Sequence, residues 1–219
     1  MTLVCFALKE EAAAFRKLAA RQIGVAILVT GMGRRNAEKA VREFLAACPT
    51  DLVLTGGFAG GLDPVLAPGA VVFETLEESL GARLQAAGAK RAKIFCADRV
   101  AVTVADKQQL RAATGADAVE MESGAIQAVC RELGVACATV RVISDGAGED
   151  LPLDFNRLYR PDLSLDYGRL AWVLLRSPGK IGPLLRLQKR CQFAAEQLAG
   201  VLVKIIEKPG TGCINSRNG

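Results

Sequence analysis

The sequence predicts an α/β fold in which a mainly parallel β-sheet is covered on both faces by helices. Two observations support this prediction. Apolar runs of strand length alternate with stretches of helical composition, and the runs are apolar on both faces, as in a buried parallel sheet. The chain has 219 residues, of which 51% are hydrophobic and 23% charged, enough to bury one large core. We therefore expect one domain.

The first half of the chain repeats a strand-to-helix pattern. TLVCFAL precedes KEEAAAFRKLAA, whose glutamates occupy the first turn, where the helix dipole favours negative charge. VAILVT leads through GMG into RRNAEKAVREFLAA, and AVVF precedes TLEESLGARLQAAG. Between these units, the predicted strand DLVLTGG enters a glycine-rich loop, FAGGLDPVLAPG.

The second half continues the pattern and ends in helices. The apolar run KIFCADRVAVTV is followed by the helix ADKQQLRAAT, which Gly115 ends as a left-handed C-cap. DAVEM leads into the helix SGAIQAVCRELG, and ACATVRVIS is the longest predicted strand. A turn-rich loop, DGAGEDLPLDF, precedes two helical stretches separated by the breaker SPGKIGP. We predict a single domain over residues 1–206 and a flexible tail over residues 207–219.

The composition excludes several classes of catalytic site. The chain has no histidine, so Ser-His-Asp and Cys-His mechanisms and the commonest zinc sites are excluded, and carboxylates become the first acid-base candidates. The seven cysteines are widely spaced without a C-x-x-C pattern, which favours reduced, buried thiols. We expect no cofactor and no metal. We also expect a cytoplasmic protein, because the chain has neither a basic leader nor a long apolar run.

Positive charge is concentrated near the C-terminus. Residues 1–167 carry 19 Lys and Arg against 21 Asp and Glu, whereas residues 168–219 carry nine against two. The amphipathic helices of residues 168–206 either pack on the sheet and solvate their charges, which is the commoner case, or contact an anionic membrane. Nucleic-acid binding is disfavoured, since aromatic residues make up 5% of the chain and do not alternate with the basic ones.

Four groups of candidate functional residues fall at the ends of predicted strands. They are Glu10 and Glu11 after the first strand, the glycine cluster GFAGG after the third, Glu120 and Glu122 beside Met121, and Ser144 with Asp145. In open α/β sheets, ligands bind at the carboxyl ends of the strands, so we expect these groups to meet.

The blocks VLTGGFAGGLDPVLAPGAVV, GADAVEMESGAIQAVC and TVRVISDGA resemble, in order and spacing, those of the nucleoside phosphorylase and methylthioadenosine/S-adenosylhomocysteine nucleosidase superfamily. The resemblance covers residues 1 to about 150 and implies a three-layer α/β/α sandwich with a mainly parallel, partly closed mixed sheet. It also implies cleavage of purine N-glycosidic bonds by a homo-oligomer. Within the superfamily, AGGLDPVLAPG, DKQQLRAATGADAVEMES and a later LP look most like the hopanoid-associated phosphorylases, which release adenine from an adenosyl-hopane lipid.

The resemblance assigns roles to the carboxylates at the strand ends. It makes Asp145 the acid that protonates purine N7, and it makes Glu122 the acceptor for the ribose 2′- and 3′-hydroxyls. Met121 would lie against the sugar, and Glu120 would position ribose or backbone. On local sequence alone, the favoured interpretation of Asp145 is an N-cap or turn aspartate, and that of both glutamates is a first-turn residue favoured by the helix dipole.

The resemblance also assigns the other pocket residues. Glu11 matches the glutamate that activates the nucleophilic water, whereas Glu10 is expected to be solvated. Ala59 and Gly60 would line the ribose or nucleophile pocket, and Ser144 would contact substrate beside the acid. Val100 falls near the family's base-stacking phenylalanine, so purine stacking here is weak or comes from elsewhere.

The nucleophile stays open at the level of sequence. Arg34 and Arg35 at a helix N-terminus offer a candidate phosphate site, with Arg34 the preferred ligand. The phosphorylase arginine is missing, since Leu54 and Thr55 stand at its place; this absence and Glu11 favour water, while the subgroup resemblance favours phosphate. Two further alternatives remain: a nucleoside-binding protein that has lost turnover, and a peripheral membrane protein that acts through its basic tail.

Overall fold

The computed structural model describes residues 1–160 and 166–207. Apart from Glu207, the predicted tail lies outside the described residues. The β-strands are Thr2–Phe6 (β1), Val25–Val29 (β2), Leu52–Gly61 (β3), Val71–Thr75 (β4), Lys90–Arg91 (β5), Ile94–Cys96 (β6), Ala118–Glu120 (β7) and Ala136–Asp145 (β8). The α-helices are Lys9–Leu18 (α1), Arg34–Ala47 (α2), Glu78–Ala86 (α3), Val104–Thr114 (α4), Ser123–Leu133 (α5), Tyr167–Arg176 (α6) and Ile181–Ile206 (α7). Short 3₁₀ turns cover Phe155–Arg157 and Pro178–Lys180.

The eight strands form one mixed, mainly parallel sheet. Its main path runs β2-β1-β3-β8-β4-β5, and β7 joins β3 to β6 at one side. The pairings β1–β2, β1–β3, β3–β8, β4–β5 and β6–β7 are parallel, whereas β4–β8 and β3–β7 are antiparallel. The predicted sheet is therefore confirmed, and its parallel centre brings the carboxyl ends of β1, β3 and β8 to the same edge.

Helices cover both faces of this sheet, as the apolar strands require. On one face, α1, α3 and α7 bury a core that includes Phe6, Phe15 and Phe73. On the other face, α2 and α5 pack together over a core that includes Leu3 and Ile126. These two cores confirm the predicted α/β architecture.

Two local predictions differ from the structure. The segment FAGG, predicted to be a loop, continues β3 to Gly61, because Phe58 to Gly60 pair with β8, and Gly60 and Gly61 pair with β7. A Cβ at Gly61 would lie 3.3 Å from the Asp145 carbonyl oxygen, which explains why glycine allows this close approach of strands. The apolar run of residues 93–104 forms only the three-residue strand β6.

The helix ends follow the sequence more closely. Gly115 adopts a left-handed φ of 64° and caps α4 at its predicted position. At the other end of this helix, Thr103 and Asp106 form a capping box. Within the described residues, no helix combines the length and the apolar character needed to cross a bilayer.

Candidate active site

A cavity of about 210 Å³ opens where β1, β3, β7 and β8 end. It is lined by nine of the ten site residues predicted from the sequence: Glu11, Ala59, Gly60, Val100, Glu120, Met121, Glu122, Ser144 and Asp145. The tenth, Arg34, is not among the lining residues. The chain thus brings together acidic groups that lie up to 134 positions apart in sequence.

The side chain of Glu11, in the first turn of α1, is held in place by backbone N–H groups. Its Oε2 accepts hydrogen bonds from the N–H groups of Ala7 and Leu8, each at 3.0 Å, and its Oε1 accepts one from Phe58 at 2.8 Å. Burial raises the pKa of Glu11, although the Arg141 guanidinium and these three N–H donors oppose the increase. The carboxylate is therefore fixed in position and has an enhanced tendency to take up a proton.

Glu122 ends the turn between β7 and α5. Its Oε1 accepts a hydrogen bond from the Gly33 N–H at 2.9 Å. Burial raises the pKa of Glu122 to about 7, with a further increase from the charge of Glu120 and a decrease from Arg141. Within residues 1–160 and 166–207, no group donates a hydrogen bond to Oε2. An ionised carboxylate at this place can accept hydrogen bonds from a diol.

Glu120 has a structural role that the sequence prediction left open. Its oxygens accept hydrogen bonds from the backbone N–H groups of Glu122 and Ser123 and from the Ser123 hydroxyl. Burial raises the pKa of Glu120, but the Arg141 charge and these hydrogen bonds outweigh burial and lower it overall. Glu120 is thus an ionised cap that fixes the start of α5 and the backbone of the glutamate beside it.

Arg141 occupies the centre of the acidic cluster, although it lies in the middle of strand β8. Its Nη2 donates to Glu120 Oε2 at 2.5 Å and to the Thr55 hydroxyl at 3.1 Å. The charges of Glu120, Glu122 and Glu11 outweigh burial and raise the pKa of this guanidinium. A Cβ at Gly57 would lie 2.5 Å from Arg141 Nη1, so the glycine leaves room for the arginine.

Asp145 lies in an ion pair at the end of β8. Its Oδ2 accepts a hydrogen bond from Lys107 Nζ at 2.5 Å, and its Oδ1 accepts one from the Ser144 hydroxyl at 2.6 Å. Lys107 is 0% exposed and also donates to the carbonyl oxygens of Gly146 at 2.7 Å and Glu149 at 2.8 Å. All three N–H groups of an ammonium are thereby used, which identifies Lys107 as the protonated partner.

Arg34 is not among the residues that line the cavity. Its Nη2 donates to the carbonyl oxygen of Cys96, and its Nε lies 3.4 Å from Asp98 Oδ1. Among the described residues, the cation that lines the cavity is Arg99, whose side chain is 74% exposed and whose Nη2 lies 3.5 Å from Asp106 Oδ1. The hydrogen bonds and ion pairs of these two arginines are with other residues than Glu11 and Glu122.

Aromatic and aliphatic side chains form the rest of the cavity wall. Phe58, Phe155, Tyr159 and Leu187 join Val100 there, so aromatic surface is available although Val100 itself has none. Burial, together with the charges of Glu122 and Glu11, raises the pKa of Tyr159 to about 12, which keeps its phenol neutral. These aromatic rings supply a stacking surface that the sequence did not assign.

Sequence reasoning missed Arg141 and Lys107, and one signal was present for each. Arg141 stands between Val140 and Val142 in a strand predicted to be buried on both faces, where a charge needs a partner. Lys107 lies three residues before Leu110 on α4 and shares its inward face. In both cases the partner lies far away in sequence, so the pairing itself could not be predicted.

Comparisons with known proteins bear on the fold that carries this cavity. A model of the phosphorylase superfamily matches residues 74–162. The futalosine hydrolase of Helicobacter pylori strain 26695 superposes with a TM-score of 0.70 at 17% identity, covering 94% of this chain and 96% of that one. The chain therefore has the same fold as this hydrolase.

Two further nucleosidase structures give the same result. A 5′-methylthioadenosine/S-adenosylhomocysteine nucleosidase from Helicobacter pylori, in complex with butyl-thio-DADMe-Immucillin-A, has a TM-score of 0.70 at 17% identity and covers 94% of this chain and 97% of its own. The corresponding enzyme from Colwellia psychrerythraea 34H, in complex with adenine, has a TM-score of 0.69 at 18% identity and covers 94% and 93%. The shared fold therefore extends over 94% of this chain.

Proposed function

We propose that this protein is a member of the phosphorylase superfamily that hydrolyses the N-glycosidic bond of a purine ribonucleoside. The observation that carries the proposal is the meeting of Asp145, Glu122 and Glu11 on the walls of one cavity. Each carboxyl group has a different environment, and the three environments suit an acid, a sugar ligand and a base. The nucleosidase fold and the superfamily match support the same activity.

Cleavage of the bond places positive charge on the ribose and negative charge on the departing purine. Asp145, held as a carboxylate by Lys107, first takes up a proton from solvent. It then gives this proton to purine N7 and becomes a carboxylate again, while the purine leaves as the neutral base. Lys107 and Ser144 then hold that carboxylate through the hydrogen bonds already described. Lys107 is thus a positioning residue that stabilises the product form of the acid.

Glu122 binds the ribose. Ionised Oε2 accepts hydrogen bonds from the 2′- and 3′-hydroxyls, and its negative charge stabilises the forming oxocarbenium ion. Met121 lines the cavity next to it and offers an apolar surface to the sugar. Ala59 and Gly60 complete this wall without side chains that would block the nucleophile.

Water is the nucleophile that the charges of the cavity favour. Glu11, Glu120 and Glu122 surround one guanidinium, that of Arg141, and its Nη2 is already used by Glu120 and Thr55. Arg99 also lines the cavity but is ion-paired with Asp106. A phosphate ion would therefore meet the carboxyl groups of Glu11 and Glu122 without a free cation to offset them, whereas a neutral water molecule would not be repelled. Glu11, with its raised pKa, accepts the proton of the attacking water.

We propose adenine as the leaving base and a hydrophobic 5′ substituent, by resemblance to the hopanoid-associated subgroup and its adenosyl-hopane substrate. The apolar wall of Phe155 and Leu187 supports an apolar substituent. A homo-oligomeric enzyme is proposed on the same resemblance.

The decisive experiment incubates the purified protein with adenosine and 5′-methylthioadenosine, with and without inorganic phosphate, and identifies the sugar product. Hydrolysis gives free adenine and the free sugar at a rate that does not depend on phosphate. Formation of the sugar 1-phosphate, with no turnover in the absence of phosphate, would contradict the choice of water. Failure to release a base from any purine nucleoside would contradict the proposed activity.

A second candidate function is nucleoside binding without turnover. The observation that favours it is the ion pair of Asp145 with Lys107, because a carboxylate held by an ammonium has no proton to give until it is reprotonated. Calorimetry separates the two functions. Tight binding of a nucleoside that stays intact over long incubation identifies the binding protein, whereas its conversion to adenine identifies the enzyme.

A further inference from the structure

Helix α6 is apolar but has no buried residue. Six of its ten residues are Leu, Ala, Val or Trp, yet none of the ten is buried in the structure. The side chains of Trp172 and Leu175 are 55% and 82% exposed. An apolar helix of this kind is not stabilised by packing on the sheet, so its exposed surface calls for another partner.

The exposure is concentrated in one segment of the chain. Eleven large apolar side chains are exposed among the described residues, and six of them lie between residues 167 and 193. We call this segment the basic apolar surface. By contrast, the second half of α7 packs in the ordinary way, with Leu198 and Leu202 buried in the core over the sheet.

The same segment is strongly cationic. It contains Arg169, Arg176, Lys180, Arg186, Lys189 and Arg190 and no Asp or Glu. Arg176 stacks over the Trp172 ring at 4.0 Å, so at least one cation lies directly beside an exposed aromatic ring. Alternation of exposed apolar and basic residues on a helix is typical of proteins that lie in the interface of an anionic bilayer.

We propose that the basic apolar surface docks onto membranes that contain anionic phospholipids. Trp172, Leu175 and Leu185 would enter the headgroup boundary, and the flanking cations would contact lipid phosphates. The proposal does not depend on the enzymatic activity of the cavity, and the three side chains that would enter the bilayer do not line the cavity.

Charge decides between a membrane and other occupants. Arg169 is ion-paired with Asp166 and Arg190 with Glu149, so four cations have no ion-pair partner among the described residues: Arg176, Lys180, Arg186 and Lys189. A second copy that used this surface symmetrically would bring these four cations close to their own copies, and like charges facing each other are unfavourable. Residues 208–219 carry Lys208 and Arg217 and no acidic residue, so they do not complement the surface either. An anionic lipid surface supplies the missing negative charge.

The position of α7 connects this surface to the cavity. Leu185 is exposed on the basic apolar surface, while Leu187 and Cys191 of the same helix line the cavity. A protein docked through this segment would therefore hold its cavity close to lipid. If the proposed nucleosidase activity is correct, lipid-linked nucleosides would be presented near their site.

The test is co-sedimentation of the full-length protein with vesicles of phosphatidylcholine alone or with about 30% phosphatidylserine. Two double variants probe the surface: Trp172→Ser with Leu175→Ser, and Arg176→Gln with Lys180→Gln. Arg35→Gln with Lys39→Gln is the control, because it removes the same charge from exposed positions on another helix, α2. Thermal melts verify that all variants are folded.

We expect the wild-type protein to bind the anionic vesicles, to bind the neutral ones weakly, and to be released by about 0.5 M salt. Each surface variant should lower the partition coefficient by roughly tenfold, and the control should leave it unchanged. No binding to anionic vesicles, or equal loss by the control, would overturn the proposal. A wild-type dimer that the Trp172 variant converts to a monomer, without vesicle binding, would identify a second copy as the occupant.

Discussion

At the scale of single residues, Glu122 gives a prediction about pH. Only its ionised form accepts hydrogen bonds from both ribose hydroxyls, and its pKa is raised to about 7. We therefore expect kcat/KM for a nucleoside to fall as the pH decreases below about 7. A profile that stays flat from about pH 8 to pH 5 would contradict the role of Glu122 as an ionised ribose ligand.

The raised pKa of Glu122 also predicts that stability, unlike activity, decreases as the pH increases. A carboxyl group whose pKa is raised by folding stabilises the protein at low pH, and this contribution is lost as the pH increases through about 7. Glu122→Gln keeps an acceptor for the Gly33 N–H but carries no charge. We expect it to abolish ribose binding while it raises the free energy of unfolding at about pH 8, by on the order of 2 kcal/mol. Chemical denaturation at that pH measures the change; a decrease in stability would contradict the burial argument.

Lys107 gives a prediction that separates its chemical role from a structural one. Lys107→Met removes the ammonium that holds the product form of Asp145. Adenine release should fall by about 10²-fold, since purine departure needs a proton, whereas p-nitrophenyl ribofuranoside, whose leaving group needs none, should react almost as before. Gln108→Met, an exposed neighbour on α4, is the control. Equal loss with both substrates would mean that Lys107 only supports the fold.

The sequence did not predict the ion pairs between residues that lie far apart in the chain. The carboxylates were found because their local blocks are distinctive, and the structure brings all of them to one cavity. Arg141 and Lys107 escaped attention because each is paired with a carboxylate from another element, at a separation of 21 and 38 residues. Burial of a charge is apparent from sequence only when the strand or helix face around it is known to be buried.

At the scale of elements, strand β3 carries the next prediction. A Cβ at Gly57 would lie 2.5 Å from Arg141 Nη1 and 2.8 Å from Glu11 Oε1, so Gly57→Ala must displace one of them. We expect a loss of about 1 to 3 kcal/mol in stability together with loss of activity.

Gly200→Ala is the matched control for this change, because Gly200 lies in α7 with open space around its Cβ position. This variant should be active and slightly more stable, by roughly 0.5 to 1 kcal/mol, since alanine favours helix. Thermal unfolding and adenine release measure both variants. Full activity in Gly57→Ala would show that Arg141 and Glu11 need not hold their positions.

Element prediction succeeded where periodicity was strong and failed where it was weak. The alternation of strands and helices and the cap at Gly115 were correct. The glycines of FAGG resemble a loop locally, yet β3 continues through them because two neighbouring strands, β7 and β8, pair there. The run after Ala92 is apolar enough for a long strand, but only Ile94–Cys96 finds a partner strand.

At the scale of the whole molecule, the parallel centre of the sheet explains why the site exists. Strands β1, β3 and β8 run in the same direction, so the groups that follow them converge on one edge. This convergence followed from the predicted fold, without knowledge of any contact. The exposed surface of α6 did not follow, because an amphipathic pattern does not say whether a sheet or a membrane covers the apolar face.

The measurement that tests the account most directly is adenine release by Asp145→Asn. Asparagine preserves the shape of the side chain and its place beside Lys107, but it has no proton to give to purine N7. With 5′-methylthioadenosine as substrate, the account predicts a rate at least about 10²-fold below that of the wild-type protein, with nucleoside binding retained. An Asp145→Asn protein that releases adenine as fast as the wild type would contradict it.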